Sequence, residues 1–154
     1  IGVSIYKPEE LDYLISNFDI DIVQCPFNVF DRRLLENDYI KKLKANSIEI
    51  HVRSVFLQGL LIMNVNLLPK YFLEWKPLLD NWRYWLKSKS LSPIEGCLKY
   101  VGSFPEIDQI IVGVEQPKQL YDIIKIYNDL EKHEFPDFSC VDENFIDPRN
   151  WKKL

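Results

Sequence analysis

No stretch of the sequence is apolar over anything near the roughly 20 residues that cross a bilayer, and its first residues lack the charged and apolar regions of a signal peptide. The expectation is a soluble, cytoplasmic chain with no membrane partner. Cysteine is scarce. Cys25, Cys97 and Cys140 are odd in number and far apart, without the paired spacing of a zinc site or a disulfide framework. They are expected to be reduced and buried. No basic run exists to track a phosphate backbone, because 23 acidic and 19 basic residues are scattered to a net charge of -4. Nucleic acid is therefore not an expected partner. The chain also opens without an initiator Met or a leading loop, since Ile1 already stands in a strand-like run. It reads as a piece of something longer.

What is present is enough for one core: 154 residues, 47% of them hydrophobic and 14% aromatic, form a single expected domain over 1–154. The organising stretch is Ile48 to Leu61. Ile48, Ile50 and Val52 alternate with Glu49, His51 and Arg53, which is the period of a strand, and a loop with Ser54, Gln58 and a single Gly59 follows. Ile1 to Tyr6, Ile20 to Asn28 and Gln109 to Val114 are shorter runs of the same kind. Pro26 is expected to end the second of them.

Helical spacing follows each strand. Pro8, Glu9 and Glu10 open a helix whose Leu11, Leu14, Ile15 and Phe18 face the sheet, and Asn37 caps one carrying Tyr39, Ile40 and Leu43. A long stripe from Tyr71 to Leu86 holds Trp75, Trp82 and Trp85, with Pro77 at its start or kink, and packing is the simpler use of these indoles than ligand stacking. Ser92 and Pro93 restart a helix that buries Ile94, Cys97, Leu98 and Val101. Pro117 opens the last, with Leu120, Ile123, Ile124 and Tyr127 inward. Residues 135–154 form a non-periodic, polar and aromatic tail, expected to lie across the outside.

Strand and helix in alternation predict an α/β fold with a parallel sheet and right-handed crossovers. Chemistry in such sheets collects at the carboxyl ends of the strands, which picks out Ser4, Gln24, Asn28, Arg53, Ser54, Gly113 and Gln116. Two readings stay open for several groups. Arg53 either holds a cofactor or anion or pairs with a local carboxylate. Asp31, Arg32 and Arg33 form an anion clamp or a surface ion-pair cluster. Cys25 is a buried thiol rather than a nucleophile, and His51 is a hydrogen-bonded core residue before it is a catalytic one. His133 is expected to be solvated.

Gly2 to Ser4 (GVS), the Q-x-x-x-N of Gln24 to Asn28 with its DRR tail, the loop RSVFLQGLL from Arg53 and the segment IIVGVEQPKQL from Ile110 resemble, in order and spacing, the second half of the aldo-keto reductases. The likeness is closest to the bacterial branch with an R-S-x-F-L-Q-G loop, and it runs through the closing IDPRNW of Ile146 to Trp151. It implies the parallel (βα)4 half, strands five to eight, of a (βα)8 TIM-type barrel that reduces carbonyls with NADPH.

By this resemblance Ser4 and Gln24 match the residues that hydrogen-bond the nicotinamide carboxamide. Arg53 stands where an aromatic ring usually stacks on the nicotinamide, and a planar guanidinium can stack there too. Ser54, Phe56 and Gln58 match the loop along the pyrophosphate. Gln116, Lys118, Gln119 and Asp122 match the adenosine segment, and Gly113, picked out by its place at a strand end, is counted with these cofactor-binding positions. Ile5 and Ile123 stand in place of family asparagines, and Gln119 stands in place of a common arginine for the 2′-phosphate, so the implied cofactor is NADP or NAD. The family's catalytic aspartate, tyrosine, lysine and histidine belong to the first four strands, leaving no catalytic residue to assign here.

Two functions are therefore expected. One is the cofactor-binding half of an NAD(P)H-dependent oxidoreductase, inactive alone, with a small carbonyl substrate in the full-length protein. The other is a non-catalytic nucleotide-binding or regulatory module. A half-barrel should also expose two sheet edges and an apolar inner face bearing Val3, Val23, Ile50 and Ile111, and so form a homodimer.

Overall fold

Branched residues alternating with polar ones make four strands of very different length in the structure, a computed structural model that describes residues 1–129 and 133–151. They are β1 (Gly2–Ser4), β2 (Ile22–Pro26), β3 (Glu49–Arg53) and β4 (Gln109–Ile110), all parallel and in the order β1-β2-β3-β4. The helices are α1 (Glu10–Asn17), α2 (Tyr39–Ala45), α3 (Lys76–Ser88), α4 (Pro93–Gly102), α5 (Pro117–Tyr127) and α6 (Glu143–Ile146). Consecutive parallel strands with a helix in each link are the βαβ arrangement expected from the sequence.

The register divides the sheet into two faces. Ser4, Gln24, His51 and Gln109 are successive partners across the strands and form one polar row. Val3, Val23 and Ile50 form a row on the opposite face, followed by Cys25, Val52 and Ile110. Val23, Cys25, Ile50 and Val52 are wholly enclosed, packed into one core with Leu11, Leu43, Leu98 and Val101 of the helices, whereas Glu49 is exposed and Gln24 and His51 are half-buried. The expectation about the faces is thus reversed. The crossover helices have taken the apolar face, and the face left open is the polar one.

Local sequence explains most of the helix ends. Ser92 caps α4 by accepting from the Glu95 amide while Glu95 accepts from the Ser92 amide, and Pro93 fills the first turn. Gly96 lets α4 lie against α3, because a Cβ there would come within 2.3 Å of Leu86 and 2.8 Å of Trp82. Trp82 and Trp85 stack at 5.5 Å and lie against Phe138, so these indoles serve packing.

Several expectations fail for identifiable reasons. Asn37 does not cap α2, since Asn37 and Asp38 both take left-handed backbone (φ 47° and 57°) after a 3₁₀ turn and α2 has no side-chain cap bond. Phe18 lies beyond the end of α1 in extended backbone and is exposed against the edge of Tyr13. On α5 only Ile123 is buried. Leu120, Ile124 and Tyr127 are 44%, 50% and 49% exposed, although α4 packs on α5. Over residues 135–151 the closing segment is not an outer strap either, since Phe138, Phe145 and Ile146 enter the core and Phe145 stacks on Trp75 at 5.5 Å; 152–154 lie outside the described residues. His133 is half-buried beside Phe135 rather than solvated.

Candidate functional site

A cleft of about 750 Å³ opens between the loop that follows β3 and the segment that joins β4 to α5. The β3 side brings Arg53, Ser54, Phe56 and Gln58 to its wall, and the other side brings Gly113, Gln119 and Asp122. Apolar surface from Ile62, Ile94 and Ile123 completes it. An apolar wall with a few convergent polar groups is the usual make-up of a ligand site of this size.

The β3 side owes its shape to backbone. Ser54, Leu57, Gln58 and Gly59 all have left-handed φ values, 59°, 45°, 52° and 86°. Successive turns result, with the Leu57 amide donating to the Ser54 carbonyl at 2.9 Å and the Gly59 amide to the Phe56 carbonyl at 3.0 Å. Space around Gly59 and Gly113 is empty to 4 Å from where a Cβ would stand, so both present bare backbone. Gly59, expected as a close-approach position, has a second reason for glycine in its positive φ.

Arg53 is held at the strand end by contacts that neither sequence reading contains. Its guanidinium lies over the Tyr6 ring at 4.3 Å, donates from Nη2 to the Ile5 carbonyl at 3.1 Å and from Nη1 to Ser54 Oγ at 3.3 Å. No carboxylate pairs with it among the described residues. Arg149 also lies over Tyr6, at 3.8 Å, but it is neutralised by Asp147 at 2.6 Å. Hydrogen bonds from Arg149, more than offsetting the cost of burial, hold the Asp147 carboxyl below its ordinary range.

The DRR tail separates into two uses. Asp31 is 1% exposed and takes a two-pronged bond from Arg33, Nε at 2.9 Å and Nη2 at 2.8 Å, which raises the arginine further. Arg32 turns away to Asp137 and lies over Tyr100. The trio is neither an anion clamp nor a surface cluster. Cys25 is enclosed, and burial first, then the Asp31 charge, pushes its thiol up to about 12, so it stays protonated at neutral pH. Cys97 is buried likewise, whereas Cys140 is only half-buried. His51 sits on the open face with Nε2 3.1 Å from Glu49.

Five residues picked from the sequence lie outside the cleft wall: Ser4, Gln24, Asn28, Gln116 and Lys118. Ser4 Oγ donates to Gln24 Oε1 at a long 3.4 Å on the open polar face. Gln116 is the cap of α5, and Lys118 is paired with Asp122 at 2.7 Å, its own side chain 80% exposed. Gln119 reaches the cleft, but its Oε1 already accepts from the Glu115 and Gln116 amides at 2.8 and 3.1 Å. The sequence reading missed Tyr6, Glu115 and Ile94. Tyr6 and Glu115 lie within two residues of chosen positions, whereas nothing in the α4 sequence pointed Ile94 at β4. Among the described residues no group of three His, Cys, Asp or Glu side chains is placed to hold a metal, and no helix is long and apolar enough to cross a membrane.

The Aldo/keto reductase family model matches residues 1–143. No curated protein sequence matches the chain. Among solved structures, an aldo-keto reductase from Bacillus halodurans is similar in its apo form at a TM-score of 0.68 and in its holo form at 0.63, each at 18% identity over 82% of this chain. A thermostable aldo-keto reductase in complex with the inhibitor epalrestat is similar at a TM-score of 0.58, with 18% identity over 86% of this chain. The matches cover only 43%, 44% and 44% of those chains, so this chain spans less than half the length of the structures it resembles.

Proposed function

The chain belongs to the aldo/keto reductase family, and from that premise we propose that it is the carboxyl-terminal, cofactor-binding half of an NAD(P)H-dependent carbonyl reductase. The observation that carries this reading is the cleft, where Arg53, Ser54, Phe56 and Gln58 from one loop face Gly113, Gln119 and Asp122 from another. A nicotinamide dinucleotide, NADP or NAD, is the ligand, and when bound it supplies the hydride for a small carbonyl substrate.

The residues present fit such a group in parts. Arg53, a cation without a carboxylate partner among the described residues, and Ser54 stand at the strand end, where the ring and the first phosphate would be held. The left-handed loop offers backbone and Gln58 to the diphosphate. Ser4 and Gln24, only loosely bonded to each other, remain free to turn toward a carboxamide on the open face. Gln116 and Lys118 fit less well, since both lie outside the cleft wall and Lys118 is turned to solvent.

Titrating the chain with NADPH and with NADH, following nucleotide fluorescence, tests the proposal. Saturable binding weakened by Arg53→Ala is expected, and no binding of either nucleotide would overturn it. Turnover of a reactive aldehyde by this chain alone is expected to be nil, because general acid catalysis needs a donor within hydrogen-bond reach.

Self-association as a homodimer belongs to the same reading, with a changed cause. Val23 and Ile50 are enclosed under the helices, so what supports pairing is the apolar flank of Ile111, Leu120, Ile124 and Tyr127 beside β4. Sedimentation showing only an 18.3 kDa species at micromolar concentration would remove it. A single domain over 1–154 and a cytoplasmic location, in keeping with three free cysteines, complete the proposal.

A further inference from the structure

Beneath the cleft, at the carboxyl end of β2, one polar side chain hydrogen-bonds only to backbone. Asn28 is 1% exposed, yet its carboxamide makes three hydrogen bonds. Oδ1 accepts from the amides of Phe30 and Asp31, each at 2.9 Å, and Nδ2 donates to the Ser54 carbonyl at 3.1 Å. Because Oδ1 is engaged twice by donors, the orientation of the carboxamide is fixed with its N–H groups toward Ser54.

The recipient is the residue from which the cleft loop departs. Ser54 has φ 59°, in the left-handed region that a side-chain-bearing residue keeps only when its surroundings hold it there. Its carbonyl also accepts from the Leu57 amide at 2.9 Å, so Asn28 and the first turn of the loop share one oxygen. Leu57, Gln58 and Gly59 then continue in left-handed backbone to the cleft wall. The same stretch of chain also reaches the end of β1, since Arg33, fixed by Asp31, donates from Nη2 to the Tyr6 carbonyl at 3.4 Å.

We infer that Asn28 is a positioning residue for the cleft. It sets the Ser54 peptide, and through it the loop of residues 54–61, without touching whatever the cleft binds. That the bound molecule is a nicotinamide dinucleotide rests on the functional reading above.

The test is Asn28→Ser, which keeps an oxygen able to accept from the Phe30 and Asp31 amides but cannot span to Ser54. Asn28→Asp is the second variant should the first not fold; it is isosteric, keeps the acceptor and lacks the donor. Amide hydrogen exchange is read at residues 55–61 and, for reference, along β3. Exchange about tenfold faster in the loop alone is expected, the scale of one lost hydrogen bond, with nucleotide affinity about tenfold weaker. Equal acceleration in loop and strand would mean a general stabilising role and overturn the inference, as would unchanged loop exchange or a faster loop with unchanged affinity. Should the parent chain bind no nucleotide, the functional reading falls, while the contrast in exchange between loop and strand still decides whether Asn28 positions the cleft.

Discussion

The two faces of the sheet come from the same five residues of β3 and have opposite fates. Ile50 and Val52 point one way and are sealed under helices; Glu49, His51 and Arg53 point the other and stay within reach of solvent or a ligand. The difference teaches where the chain's stability and its chemistry reside. Apolar side chains on a parallel sheet are claimed by the crossover helices, all of which land on one side when each crossover is right-handed. Polar side chains collect on the other face, and there the row Ser4, Gln24, His51, Gln109 leads up to Arg53 and the cleft.

The sharpest way to break this comparison is a pair of truncations at neighbouring positions. Ile50→Ala should cost about 2–5 kcal/mol of stability, the range for emptying a fully buried aliphatic site, whereas Glu49→Ala should stay within about 0.5 kcal/mol. Urea unfolding of the two variants measures both, and equal losses would erase the distinction between the faces. Next in size, Arg53→Ala should weaken nucleotide binding by about 1–3 kcal/mol, as expected for a lost charge-assisted contact. Calorimetric titration checks it; an unchanged dissociation constant would leave Arg53 as no more than a brace for Tyr6.

A smaller effect sharpens the picture at the α5 end of the cleft. Glu115 and Asp122 line it, Lys118 is held by Asp122, and Gln119 Oε1 is spent on two amides. A 2′-phosphate there would meet carboxylates, whereas a ribose hydroxyl could donate to one. NADH should therefore bind more tightly than NADPH by about 1 kcal/mol, roughly fivefold, the upper scale for exposed charge pairs. The ratio of the two dissociation constants decides it.

The smallest effect concerns pH. Asp108 fastens β4 to β3 by accepting from the Ile50 amide at 2.7 Å and pairing with Lys44. Burial pushes its carboxyl up, but the Lys44 ammonium and the Ile50 amide outweigh this and hold it below the ordinary 3.8. A depressed carboxyl contributes stability above its unfolded value and loses it as pH falls through the lower folded value. Stability should thus decline on acidification below about pH 4, and Asp108→Asn should flatten that slope in acid titrations followed by circular dichroism.

The alternation from Ile48 to Arg53 was enough to place β3, its two faces and the loop beyond it, because a strand of period two admits one register. The cap at Ser92 and the start at Pro117 were equally legible, since both rest on bonds made within a few residues. What could not be read was whatever depends on distant neighbours. The stripe on α5 is real in the sequence, yet only Ile123 found something to bury against. The aromatic residues after 135 have no period, so nothing local revealed that Phe145 would fill the space between Phe30 and Trp75. Likewise Asn28, chosen for its place at a strand end, turned inward because the turn at Phe30 and Asp31 and the carbonyl of Ser54 converge on it.

The brevity of the outer strands bears on how this chain behaves when crowded. An exposed sheet edge templates a further strand by offering a row of amides and carbonyls, which is how fibrils grow. Here β4 is only two residues long and β1 only three, whereas β2 and β3 have five each. An incoming strand would find too few bonds to dock in register, so the sheet is blunted against open-ended growth. Contacts between copies are then left to side chains.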